Sequence, residues 1–217
     1  MKPTALPLSP LLPGQLHRRD LVLLLAASSL LTLAGCATHD TPPRRLYALT
    51  GTPALPADAK PGQDSRAWVL SPQVALPELL DRDEILVAEG SAGLRPWPEA
   101  RWAEPLRDAL PRLLAEDLWR LRQPYPVALG PQPDNGAESL RLTVQVDEWL
   151  ARPEGAGLVL RLRARWRWAP LHAPAGTALP AAGAAEVSVP CASQADALAD
   201  AYRRSVTALA ARIVATS

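Results

Sequence analysis

Cysteine and histidine are the side chains best suited to nucleophilic or metal chemistry, and the chain has few of either: two cysteines, Cys36 and Cys191, and three histidines, His17, His39 and His172. A thiol nucleophile needs a base within hydrogen-bond reach, and one cysteine with one histidine in a Pro/Ala-rich loop makes a poor pair. Cys191 therefore reads as a small core residue or a surface thiol. No His/Cys cluster has metal-ligand spacing, no glycine-rich loop resembles a phosphate cradle, and no Gly-x-Ser-x-Gly elbow is present, so neither a metal nor a cofactor is expected. Asp81, Asp83 and Glu84 surround Arg82. Two carboxylates so placed can act as acid and base, but beside an arginine in a turn they more often form a salt-bridged corner.

Cys36 has a different chemistry. Lys2, Arg18 and Arg19 precede an apolar run from Leu21 to Leu33 that ends in small residues, the layout of a secretory signal. Thirteen residues are too few to span a bilayer, which takes roughly 20 apolar positions at ~1.5 Å each. Leu33-Ala34-Gly35-Cys36 resembles the lipobox of bacterial lipoproteins. The resemblance implies a thiol alkylated with diacylglycerol, cleavage just before Cys36, and usually acylation of the new amino group. Small residues there leave backbone and sulfur open to peptidase and lipid donor. Several acyl chains at ~0.8 kcal/mol per buried methylene make a durable anchor. Ala37, rather than an aspartate, follows the cysteine, and by lipoprotein sorting rules this favours the outer membrane. Arg18-Arg19 also allows a twin-arginine export signal, though an ordinary basic leader explains it more simply.

The full chain has 217 residues, 23 Lys plus Arg against 22 Asp plus Glu, and a net charge of +1. Removing residues 1–35 takes away Lys2, Arg18, Arg19 and Asp20 and leaves 20 basic and 21 acidic residues, net −1. Such a chain does not wrap nucleic acid, which requires concentrated positive charge to displace counterions. Arginine outnumbers lysine 21 to 2, so a single arginine carries little weight. A run of them carries more. Arg161, Arg163, Arg165 and Arg167 alternate with Leu162, Ala164, Trp166 and Trp168, which puts four guanidinium groups on one strand face at intervals of about 7 Å. This ladder is either a surface for anionic lipid, for a partner's acidic patch or for the lining of an oligomeric pore, or a solvated face neutralised by neighbouring acids. The balanced charge favours the solvated face, and Trp166 and Trp168 read as core.

The elements that hold these residues follow from periodicity. Arg45–Leu49 has strand character, Thr52–Ser65 reads as a loop, and Ala67–Leu70 and Ile85–Ala88 read as short strands. Apolar positions recurring every three or four residues predict a first helix around Trp102–Leu121, with Pro105 in its first turn and Pro111 kinking or breaking it. Period-two alternation predicts long strands over Ser139–Leu150 and Gly157–Ala169, joined as an antiparallel hairpin, then a loop over 170–184 and a short strand at Glu186–Val189. Leu198, Tyr202, Val206, Leu209 and Ile213 mark a last helix from about Ala195 to Val214, opened by a capping-box-like Ser193 and Asp196. The expected fold is α+β, one domain, with two helices on one face of a largely antiparallel sheet. The expected organisation is a signal peptide at 1–35, a lipidated tether at 36–43 and a folded domain at 44–217.

Two further segments carry a family resemblance. Leu76-Pro77-Glu78-Leu79-Leu80-Asp81-Arg82-Asp83-Glu84-Ile85-Leu86-Val87, followed by Arg101-Trp102-Ala103-Glu104-Pro105-Leu106, resembles the paired signature of the PqiC-type ABC-transport auxiliary lipoproteins, and Leu46-Tyr47-Ala48-Leu49 resembles the strand that opens that domain. Leu79 stands where that family often has tyrosine. Physically, Leu80-Asp81-Arg82 reads as a corner leading into a buried strand, and Trp102 as an anchor under the first helix. The resemblance implies a non-enzymatic, periplasm-facing outer-membrane lipoprotein in an intermembrane lipid transport system. It implies an MCE-domain partner, assembly into homo-oligomers and contact with phospholipid. The alternatives are a lipid-anchored envelope hydrolase, which lacks a complete nucleophile-base set, and a purely structural lipoprotein.

Overall fold

The computed structural model describes residues 44–57, 59, 64–131, 138–172, 174 and 176–217. The signal segment, the lipobox and the tether, with His17 and His39, lie outside the described residues. The elements in order are β1 (Arg45–Tyr47), β2 (Ala67–Leu70), a 3-10 turn (Glu78–Leu80), β3 (Glu84–Glu89), β4 (Gly93–Trp102), α1 (Leu106–Leu121), β5 (Val127–Leu129), β6 (Ser139–Glu154), β7 (Gly157–His172), β8 (Gly183–Cys191) and α2 (Ala195–Ala215).

All eight strands join one open sheet centred on β6. Its one edge pairs antiparallel with β7 along the whole hairpin, from Ser139↔His172 to Glu154↔Gly157, and β7 pairs antiparallel with β8. The other edge of β6 is shared in parallel, by β2 over Ser139–Leu142 and by β3 at Ala151. From there β5 extends one branch and β4 with β1 the other. The sheet is thus mixed, with its longest ladders antiparallel, and the α+β architecture read from the sequence holds. The hairpin turns on Gly155 and Ala156, with Gly155 at φ 57°, the positive φ that the first position of a two-residue turn requires.

Both helices cover the same face. Leu140, Leu142, Val144 and Val146 of β6 and Leu160, Leu162, Ala164, Trp166 and Trp168 of β7 share one core with the apolar stripes of α1 and α2. Trp166 and Trp168 are core, as expected. A bulge between Val146 and Glu148 then shifts the phase of β6, so that Trp149 and Ala151 continue the core while Leu150 joins Leu86 and Ala88 on the opposite face.

Several boundaries differ from the periodic reading. Trp102 ends β4 rather than opening the helix, because Pro105 is the N-cap in an extended conformation and α1 starts at Leu106. The helix is not broken in two at Pro111 but runs continuously across it to Leu121. At α2 the N-cap is Gln194 with no side-chain cap bond, so Ser193 and Asp196 form no capping box, and Asp196 favours the start only through its charge near the helix dipole. β6, β7 and β8 each run beyond the predicted bounds. β4 and β5 had no signal. In β4, Pro96 and Pro98 suppress alternation, and they are tolerated because β1 covers only Ala100–Trp102, leaving the earlier residues an open edge.

Candidate functional site

The two signature segments meet at one corner of the fold. The 3-10 turn buries Leu80 and delivers Asp81, whose carboxylate accepts a hydrogen bond from Arg107 at the start of α1. The carbonyl of Asp83 accepts from the Trp102 amide at 2.7 Å, and its carboxylate lies 3.6 Å from Arg101 Nε. Glu104 pairs with Arg112 of α1 at 2.5 Å, and the Ala103 amide donates to the Tyr47 carbonyl at 2.8 Å, tying β1 to the same corner. Asp81, Asp83, Arg101 and Glu104 thus form the salt-bridged corner, and Arg82 is exposed. Trp102 is an anchor, but its ring meets Tyr202 of α2, edge-on at 5.0 Å. Tyr202 also packs at a tilt against Trp149, with ring centroids 4.9 Å apart, and donates to the Trp149 carbonyl at 3.2 Å.

The arginine ladder lies on the face away from the helices, and it is partly neutralised. Because of the bulge, consecutive residues Asp147 and Glu148 both reach this face. Arg165 grips Asp147 with two 2.8 Å hydrogen bonds, and Arg163 Nε lies 3.0 Å from Glu148, which Arg152 also contacts at 3.1 Å. The hydrogen bond from Arg165 to Asp147 raises the arginine's pKa above its ordinary value. The outer rungs Arg161 and Arg167, and Arg141 on β6, are exposed and have no ion pair among the described residues. Neighbouring carboxylates thus match the charge of the two middle rungs, and the end rungs are exposed without such a match among the described residues. Beside Arg167 lies a groove of about 400 Å³, lined by Gln73, Thr143, Gln145, Arg165 and Arg167.

Two buried clusters join residues whose pairing no spacing in the sequence reveals. Asp117 of α1 accepts from Arg203 Nη1 and Nη2 of α2 at 2.5 and 3.0 Å, from Thr207 Oγ1 at 2.8 Å and from Arg120 at 2.9 Å. Arg203 Nε reaches the Gly51 carbonyl at 3.0 Å. Arg122 lies 3.5 Å over the Trp68 ring and donates to the carbonyls of Asp64, Arg66 and Pro126. Burial lowers its pKa to about 10. Both clusters tie loops to helices. Cys191 ends β8 as a half-buried free thiol whose pKa is pushed up by burial, the wrong direction for a nucleophile. His172 ends β7. Among the described residues no group of three or more His, Cys, Asp or Glu could hold a metal ion, and no helix is long and apolar enough to cross a membrane.

An open mixed sheet with two helices on one face, an ion-paired corner joining sheet to helix and an arginine-bearing opposite face define a single α+β domain. Residues 47–214 match the family model of the ABC-type transport auxiliary lipoprotein component, and the chain belongs to that family. The fold is similar to the crystal structure of a Xanthomonas campestris protein of the DUF330 family, with TM-score 0.61, 20% identity, and coverage of 78% of this chain and 92% of that one. A structure of a putative lipoprotein from Caulobacter crescentus matches at 23% identity over 52% of this chain and 86% of that one, with TM-score 0.27. A search of curated proteins finds no match.

Proposed function

We propose that the chain is a non-enzymatic docking or channel component of an intermembrane, MCE-type lipid transport system, anchored by lipid on Cys36 in the outer membrane and facing the periplasm. Residues 1–35 are the cleaved signal, 36–43 the tether and 44–217 the working domain, which assembles with copies of itself and with an MCE-domain subunit. The observation that carries this reading is the family match across almost the whole folded part, together with a lipobox just upstream of it. The raised pKa of Cys191 weighs against that thiol as a hydrolase nucleophile, because the thiolate is the reactive form.

The test uses the full chain, tagged at its C-terminus and expressed in its native envelope. Crosslinking and affinity capture are expected to recover an MCE-domain subunit, and Cys36→Ala is expected to move the protein out of the outer-membrane fraction. Capture without any transporter subunit would overturn the docking role. A Cys36→Ala protein that still fractionates with the outer membrane would overturn the anchor.

A further inference from the structure

The ladder face is not uniform, and its asymmetry points to a ligand. Arg163 and Arg165 have their charges matched by Glu148 and Asp147. At the Arg167 end the matching stops. Arg167 stands opposite Thr143 in the β6–β7 register, and neither side chain, nor that of Gln73, has a hydrogen bond or ion pair among the described residues. These three groups line the groove with Gln145 and Arg165. Gln145 makes only a long 3.4 Å contact to Asp147. The lining therefore offers two guanidinium groups, two carboxamides and one hydroxyl, and includes no carboxylate. Arg165 is already oriented by its two bonds to Asp147, so its free donors are held in place before any ligand arrives. Arg141, also exposed and without an ion pair among the described residues, stands two residues before Thr143 on the same face and adds positive charge to that end.

A planar fork of arginine donors with hydroxyl and amide donors beside it suits the oxygens of a phosphate better than a single carboxylate. We propose that this groove takes the phosphate of an anionic glycerophospholipid headgroup, so that the Arg167 end of the sheet face contacts a bilayer surface. The choice of a lipid source rests on the anchoring reading above. Cys36 and Arg44 are eight residues apart, and at about 3.3–3.6 Å per residue a lipid on Cys36 would keep the domain within roughly 30 Å of headgroups.

The test titrates water-soluble headgroups into the isotopically labelled full chain in neutral detergent and follows backbone amides and arginine Nε signals by NMR. Glycerophosphoglycerol is expected to shift Thr143, Gln145 and Arg167. Arg167→Gln is expected to weaken that binding about tenfold, whereas Arg163→Gln, whose charge Glu148 already matches, changes it less than about twofold. A preserved spectrum elsewhere shows that each variant folds. Absence of shifts, equal shifts from glycerophosphocholine, or equal weakening by both variants would overturn the site. Inorganic phosphate binding as tightly as the diester would overturn the lipid source, and shifts from hexaglutamate alone would assign the groove to an acidic protein instead. Capture of an MCE-domain subunit does not depend on this groove, so the two proposals fail separately.

Discussion

Asp117 shows how little of a residue's role is visible locally. It lies on the apolar stripe of α1, four residues after Leu113 and four before Leu121, and its side chain is 0% exposed. A carboxylate there is stable only because both oxygens are saturated by Arg203, Arg120 and Thr207. The one local signal was a charge on the apolar stripe. Its main partner, Arg203, is 86 residues away on another helix, beyond any spacing rule. Asp117→Ala would leave the Arg203 guanidinium, 1% exposed, without its counter-ion, and removing one partner of a buried pair costs about 3–5 kcal/mol. Asp81 also holds an arginine, but its side chain is 41% exposed, so Asp81→Ala is expected to cost no more than about 1 kcal/mol. Urea unfolding of both variants measures the contrast, and equal losses would mean that the buried network is not what joins the helices.

At the scale of elements, legibility followed regularity. The β6–β7 hairpin and both helices were readable because alternation and helical spacing run unbroken for many residues. β4 was not, since Pro96 and Pro98 erase the pattern, and β5 is only three residues long. The sequence reads as a loop at the start of β8 because Gly183 follows a Pro/Ala-rich stretch. Gly183 instead pairs with Trp166 in the β7–β8 register, and a Cβ there would lie 2.4 Å from Trp166 Cζ2. The small residue is needed for the indole to approach the edge strand this closely. Gly183→Ala should therefore push Trp166 out of its packing and destabilise by about 1–3 kcal/mol, read as a lowered Tm. Adding Trp166→Leu removes the clash, so the double variant should lose less than the two single losses together. Strict additivity would show that the strand edge shifts freely to admit the methyl group. The ladder itself was legible as a face, but its division into matched and unmatched rungs was not. That division depends on the bulge at Val146/Glu148, which turns Asp147 and Glu148 to the same side.

For the whole molecule, the arrangement of the core determines how it can serve as a platform. One apolar cluster takes buried residues from α1, α2 and six of the strands, with Tyr47 of β1 and Val127 of β5 packed against it, whereas on the opposite face Leu86, Ala88 and Leu150 form a separate small cluster. The hydrophobic stabilisation is thus concentrated in one layer, and the ladder face is left polar without carrying the fold. Within that layer Trp102 links the signature corner to α2 through Tyr202, and Tyr202 links α2 to the centre of the sheet through Trp149. Loss of any of these contacts is felt by helices and sheet together, so residues 44–217 should unfold in a single cooperative step. The measurement is urea denaturation of the full chain followed by tryptophan fluorescence and by far-ultraviolet circular dichroism. The two curves are expected to coincide. In Trp102→Ala both should move by the same amount, about 3–5 kcal/mol for a buried tryptophan truncated in a packed core. A fluorescence transition that precedes the loss of helix would show that the corner melts on its own. In that case Arg101, Trp102 and Glu104 would form a mobile joint rather than a rigid junction between the sheet and α1.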